Sequence, residues 1–534
     1  SASAIAWTPP VKPKLIVAIS VDQFASELYR RHLPTYTKGL KTLSQGEAFP
    51  IGYQSHAATE TCPGHSTILT GRRPSGTGIV GNSWRDRKTG KSVYCVSIPG
   101  SADPDARGPE NLRVTTLGDW VKAAEPGARS YALSGKDRAA ITMGGHHADG
   151  EYWWQDGKGF TTSSYASHAP AKALKPVQAF DNALFARWRQ NPPQLWPTPP
   201  ARCVAMERPE RFGALNLSGH IPPDFAAHAE DGPDFLRSRA FEENLRTSPL
   251  FDSTLERFAE QVIDWHRLGH GPATDVLAVS FSANDYIGHR FGNGGPEMCE
   301  QQAALDATLG HFIAYLKGLH VPMIVVLTGD HGATDAAERE HRHDPAASRL
   351  DARAFLKRLN AHLEQALGLS APPLAGSAEQ LWIKATDPVM RGKVEQAAVV
   401  WLKQQKPVRA VFTRAEIAAV PRPAHTPPDR LTLIQRFRES YDPERSADIA
   451  VAYAPRTSFG MPDKPGDAVA GHGSPWDHDR QVPILFWWPG APSETRATPA
   501  ETVDIAPTLA ALARVPTPEV DGRCLAIGPE VCGR

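Results

Sequence analysis

Four short apolar runs organise the pattern of this chain: residues 15–20, 276–281, 323–328 and 482–487. Each is continuous rather than alternating, which is how a strand buried on both faces of a sheet reads. A weaker run at 130–133 and an extended stretch at 51–54 fit the same series. Between the runs lie segments with apolar residues at helical spacing, at 36–44, 116–124, 253–266, 300–317 and 503–514. Strand followed by helix, repeated, predicts an α/β fold: a doubly wound, mostly parallel sheet core with helices on both faces.

The alternation stops twice. Residues 146–250 contain Trp153-Trp154, the hydroxyl-rich 161–164 and the proline-dense 192–200, and residues 341–439 carry their own helix at 393–405 and strand at 408–412. Both read as insertions, the first lying over the active site. The core is then discontinuous, built from 12–145, 251–340 and 440–534, with a strand at 449–453 in the last piece. No internal repeat and no heptad run is present.

Composition narrows the function. Lys plus Arg and Asp plus Glu are both 58 in 534 residues, so no basic field points to nucleic acid or to an anionic membrane. A small-molecule partner is the expectation, and oligomeric state is not readable. No run reaches the roughly 18 to 20 apolar residues of a membrane-spanning helix. The small residues at 1–6, without Met, fit an end left by signal-peptide removal and hence a periplasmic or secreted protein. Of the six cysteines, Cys524 and Cys532 are close enough to close a loop in an oxidising compartment, while pairings among Cys95, Cys203 and Cys299 stay open. Cys62 reads as a packed or capping neighbour.

The chemistry collects after the strands. Asp22 ends the first run, Asp285 and His289 follow 276–281, Asp330 and His331 follow 323–328, and His472 precedes the last. In an open α/β sheet, functional groups gather at the carboxyl ends of strands. Three carboxylates and three imidazoles suit two borderline divalent ions, zinc first. Singly, an Asp-His pair is a surface turn; the set of them is a metal centre. Two close ions are the arrangement that clamps both oxygens in phosphoryl transfer.

Thr61, in Thr61-Cys62-Pro63-Gly64-His65-Ser66, lies where an extended segment becomes a helix. Pro63 suits a first helical turn and puts Thr61 at or near the N-cap, among free N–H groups. A cap is the plain role of such a threonine; beside metal ions it becomes a nucleophile. Lys136 and Arg138 offer two cations for a dianionic phosphate, and Asn82 a neutral donor. His146 and His147, His341 and His343 with Asp344, and His478 could bind further metal but read as loop residues. Trp153 and Trp154 either wall a cleft or pack an insertion.

These residues resemble the alkaline phosphatase superfamily, and most closely its exported alkaline phosphatases with a threonine nucleophile and a Lys-x-Arg phosphate clamp. The resemblance rests on the Thr61 block, Gly81-Asn82-Ser83, Gly135-Lys136-Asp137-Arg138, Asp285 to Gly292, Gly329-Asp330-His331-Gly332 and His472-Gly473-Ser474-Pro475, in family order. It implies one zinc held by Asp22, Asp330 and His331 and touching Thr61, and a second held by Asp285, His289 and His472. It further implies hydrolysis of phosphate monoesters through a covalent phosphothreonine at Thr61, inorganic phosphate as product, and phosphate oxygens bound by Asn82, Lys136 and Arg138. Nucleotide pyrophosphatases and phosphodiesterases of the superfamily share the threonine, asparagine and ligands but usually lack the Lys-x-Arg pair. Sulfatases need a modified Cys or Ser in a setting absent here. An inactive, metal-stabilised binding protein would have no chemical need for Thr61.

Overall fold

The computed structural model describes residues 11–162, 171–224, 235–528 and 531–532; residues 1–10 and the hydroxyl pair Ser163 and Ser164 lie outside these. In chain order the central sheet and its site-bearing helices are β1 (Leu15–Val21), β2 (Glu47–Tyr53), α1 (Thr61–Ile68), β3 (Ser130–Ser134) and α2 (Asp137–Gly144). Then follow β4 (Gly150–Gln155), β5 (Gly159–Thr161), α3 (Pro249–His266), β6 (Asp275–Phe281), α4 (Ala283–Phe291), α5 (Pro296–Gly318) and β7 (Met323–Gly329). The series closes with β8 (Gln481–Trp487), β9 (Glu494–Thr495), β10 (Ala500–Glu501) and α6 (Ile505–Ala513). Ten strands form one sheet in the order β9-β2-β8-β7-β1-β6-β3-β4-β5, with β10 also pairing β2.

Strand β1 shows why the apolar runs carry no alternation. Leu15, Val17 and Ile19 pack into one core with Phe258 and Val262 of α3 and Leu309 and Phe312 of α5, while Ile16 and Ala18 pack into another with Leu509 and Ala510 of α6. Successive side chains of a strand face opposite ways, so helices on both faces demand apolar residues throughout.

The sheet is mostly parallel, as expected: β3, β6, β1, β7 and β4 form its parallel centre, while β8 runs antiparallel to β7 and β2, and β5 antiparallel to β4. Two expectations need correction. Strands β4 and β5, inside the segment read as an insertion at 146–250, extend this sheet. Conversely Ile449–Tyr453, assigned to the core piece 440–534, pairs with Gln380–Ile383 and Val408–Thr413 in a separate four-stranded sheet with its own apolar core. A buried strand reads the same whichever sheet it joins, so periodicity could not place it.

Register builds the site. Val21 of β1 lies opposite Phe281 of β6 and Gly329 of β7, and Ser134 of β3 opposite Ser280. The four parallel strands therefore finish level, and Asp22, Asp330, Asp285 and Lys136 emerge along one edge within a few residues of those ends.

Candidate active site

Asp22, Asp330 and His331 are wholly buried, and their ligand atoms lie within 4.8 Å of one another. His331 Nε2 is 3.3 Å from Asp22 Oδ1 and 3.2 Å from Asp330 Oδ2. In a second group, Asp285 Oδ1 lies 3.3 Å from His289 Nε2 and 3.4 Å from His472 Nε2. The groups adjoin: Asp285, His331 and His472 also fall within 4.8 Å, and the His331 and His472 rings stack 3.5 Å apart.

The imidazoles are oriented from behind. Nδ1 of His289 donates to the Ala470 carbonyl at 2.9 Å, that of His472 to the Thr59 carbonyl at 2.8 Å and that of His331 to the Gly332 carbonyl at 2.9 Å. A carbonyl oxygen only accepts, so each Nδ1 carries a hydrogen, and each ring in its neutral form turns its Nε2 lone pair to carboxylates, the usual backing of a metal-binding histidine. Asp22 Oδ1, Asp330 Oδ2 and His331 Nε2 are buried without a hydrogen-bond partner. Lone pairs facing carboxylates repel unless positive charge lies between them. The demand registers on His331, where burial alone would lower the imidazole pKa but Asp330 and Asp22 outweigh it, holding it up at about 9. The donor set therefore fits divalent cations.

Lys136 supplies part of that charge. Its Nζ lies 2.7 Å from Asp22 Oδ2 and 2.6 Å from Asp285 Oδ2, joining the two groups, and 4.8 Å from the centre of the Tyr286 ring. Burial raises the Asp22 and Asp285 carboxyls, but the Lys136 charge together with the adjoining histidines, His331 at Asp22 and His289 and His472 at Asp285, outweighs it and holds both below the usual range.

Thr61, 2% exposed, is the first residue of α1 rather than its cap; Glu60 takes the preceding extended position without a side-chain cap bond. Of the N–H groups in the first turn of α1, that of Gly64 donates to the Glu60 carbonyl at 3.0 Å, and Pro63 has none. Glu60 Oε2 instead accepts the Asn82 backbone N–H at 2.7 Å, and Asn82 Oδ1 accepts the Cys62 N–H at 2.8 Å, which leaves the Asn82 NH2 to donate elsewhere. Arg138, at the second position of α2, approaches the Tyr94 hydroxyl at 3.4 Å, and its Nε has no hydrogen-bond partner among the described residues.

Some organising residues escape sequence reasoning. Gln23, left-handed at φ 63°, donates its backbone N–H to Asp330 Oδ1 at 3.0 Å and its side-chain amide to Asp285 Oδ1 at 2.8 Å, tying both groups together. His65 Nδ1 donates to the Thr61 carbonyl at 2.9 Å and lies 3.1 Å from Asp330 Oδ2. Position beside Asp22 and Thr61 was their only signal. Cys62, read as a packing neighbour, is in fact disulfide-bonded to Cys95; Cys203 pairs with Cys299 and Cys524 with Cys532.

The remaining histidines stay apart. Among the described residues no metal-type group includes His146, His147, His341, His343 or His478; a third group, Glu256, Glu260 and His311, joins α3 to α5. Trp153 packs with Cys62 and Cys95, and Trp154 with Phe160, Phe185 and Phe251, so both serve cores.

Gly64 is where α1 meets the end of β7. A Cβ there would stand 2.0 Å from the Asp330 carbonyl oxygen, which is backbone and cannot turn aside. Gly64→Ala should cost about 3 kcal/mol of stability and displace Asp330. Denaturant melts check this, and wild-type stability would contradict the close approach.

The sequence pattern of the type I phosphodiesterase / nucleotide pyrophosphatase family matches residues 16–475. The chain belongs to this family. Within the wider similarity, the chain is 42% identical to alkaline phosphatase PhoK of a Sphingomonas species, over 98% of this chain and 92% of that protein. It is 39% identical to alkaline phosphatase PhoD of Zymomonas mobilis, over 99% and 90%. The crystal structure of alkaline phosphatase PafA superposes with a TM-score of 0.82 at 26% identity, covering 97% of this chain and 99% of that one. The family resemblance read from the sequence, and its α/β fold with helices on both faces, are thereby borne out.

Proposed function

We propose that this chain hydrolyses phosphate monoesters by way of a phosphothreonine at Thr61, with two zinc ions, one held by Asp22, Asp330 and His331 and the other by Asp285, His289 and His472. The observation that carries this reading is the joining of those two donor groups, with three Nε2 lone pairs turned inward, beside a threonine at a helix N-terminus. Relatives of closely similar length named as alkaline phosphatases support the monoester assignment.

When bound, the ions supply Lewis-acid charge that lowers the pKa of a coordinated hydroxyl or water and balances charge on reacting oxygens. The chain does the rest. Thr61 Oγ1 forms a bond to phosphorus as the ester oxygen departs as alcohol; water then cleaves the Thr61–phosphorus bond, releasing inorganic phosphate and restoring the hydroxyl. The Asn82 NH2, Lys136 and Arg138 donate to the non-bridging oxygens, where fixed donors stabilise the transition state. Two cations match a dianionic monoester better than a monoanionic diester, which is what sets this reading above the phosphodiesterase activity in the family's description. An inactive binding protein would have no use for Thr61 in this position. Three disulfides favour an oxidising compartment, periplasmic or extracellular.

The clamp is tested by Lys136→Ala combined with Arg138→Ala. We expect kcat/KM for an aryl phosphate monoester to fall about 100-fold more than for the matched diester. Equal losses on both would refute the assignment of these cations to the dianion.

A further inference from the structure

We propose that Tyr94 is a positioning residue that holds Arg138 for the phosphate, so that monoester selectivity depends on a tyrosine outside both metal-type groups. The proposal rests on the reading of Arg138 as a phosphate donor. Long cationic side chains lose rotamer freedom when they bind, so a donor already held in place serves a transition state better than a free one.

A small hairpin provides the hold. Ser83–Arg85 pairs antiparallel with Ser92–Tyr94, Ser83 opposite Tyr94, so the turn opens directly after Asn82 and returns at Tyr94 and Cys95. Its base is fastened to the nucleophile's helix. Cys95 is bonded to Cys62, the residue after Thr61; the Cys95 N–H donates to the Asn82 carbonyl at 3.0 Å; and Asn82 Oδ1 accepts from Cys62 N–H at 2.8 Å. The hairpin thus carries one phosphate donor, Asn82, at its start and reaches another at its end.

At that end the Tyr94 hydroxyl donates to Asp137 Oδ1 at 2.7 Å and accepts from Arg138 Nη1 at 3.4 Å. Asp137 is itself fixed from the other side: Arg107 Nε donates to its Oδ2 at 2.9 Å, and the Arg107 guanidinium lies 5.1 Å from the centre of the Tyr94 ring. Asp137 Oδ1 also accepts the Arg138 backbone N–H at 2.7 Å. Tyrosine, aspartate and arginine therefore form a closed frame around the base of the Arg138 side chain. The hydroxyl is the one atom in it that reaches the guanidinium itself.

Phenylalanine at position 94 keeps the ring and its packing against Arg107 and removes only that oxygen. The test compares wild type, Tyr94→Phe, Arg138→Ala and the double variant on a matched aryl phosphate monoester and methyl diester, each zinc-loaded, with metal content and melting temperature recorded. The expected result is a fall of about 5- to 10-fold in the monoester-to-diester ratio of kcat/KM for Tyr94→Phe, with no further fall when the change is made in Arg138→Ala. Asp137→Asn, which weakens the anchor of the same hydroxyl, should shift the ratio in the same direction. A wild-type ratio in Tyr94→Phe, beside a lowered one in Arg138→Ala, overturns the positioning role alone. An equal effect of Tyr94→Phe in both backgrounds also overturns it, since the tyrosine would then act without the arginine. An unchanged ratio in Arg138→Ala overturns the clamp reading and this proposal with it.

Discussion

Thr61→Ala abolishes turnover of an aryl phosphate monoester, lowering kcat by about four orders of magnitude or more, while the protein still binds its metal ions. The split follows from structure. In the proposed reaction Thr61 supplies the attacking oxygen, but the carboxylates and imidazoles of the two donor groups are held by other residues: Gln23 on Asp330 and Asp285, and three backbone carbonyls behind His289, His331 and His472. Losing one hydroxyl leaves that frame standing. Steady-state kinetics and metal analysis of the purified variant check both halves. Turnover close to wild type would place the nucleophile elsewhere.

Chelation gives the second large effect. Stripping divalent ions should abolish activity and lower the melting temperature by at least ~5 °C, with both restored by zinc. Asp22, Asp285, Asp330 and His331 are buried at a level strand edge, and Lys136 is the cation that the described residues place between Asp22 and Asp285. Unpaired buried carboxylates are costly, so an ion that binds only the folded chain stabilises it. Full activity and an unchanged melting curve after exhaustive chelation would contradict a metal-dependent site.

Much of this arrangement was legible before the structure, for identifiable reasons. Residues buried on both faces of a sheet leave unbroken apolar runs, so β1, β6, β7 and β8 stood out, and the candidate ligands just after the first three come together in the structure. That Asp22 and Asp330 meet follows from the register that aligns Val21 with Gly329.

What was hidden depends on contacts made across the chain. Nothing in the sequence announces that Gln23 adopts a left-handed conformation to reach two carboxylates, or that the side chain of Glu60 turns to the Asn82 backbone rather than capping α1. Pairing direction was hidden too, since an apolar strand looks the same parallel or antiparallel, and β8 proved antiparallel to its neighbours. Strand β4 was obscured because its aromatic residues, Tyr152, Trp153 and Trp154, stand in a stretch of irregular composition. Lys136 illustrates the limit within the site itself: the Lys-x-Arg spacing marked it as an anion binder, while its contacts to Asp22 and Asp285 needed coordinates.

The Lys136 and Arg138 pair makes phosphate monoesters the expected substrates of this family member. The most direct test is the ratio of kcat/KM for a matched aryl phosphate monoester and methyl diester on the zinc-loaded wild-type protein. With Lys136 and Arg138 each contributing about 1.5 kcal/mol to a dianion, the ratio should favour the monoester by roughly 100-fold or more. A ratio favouring the diester would contradict the account and assign the same threonine and donor groups to phosphodiester hydrolysis.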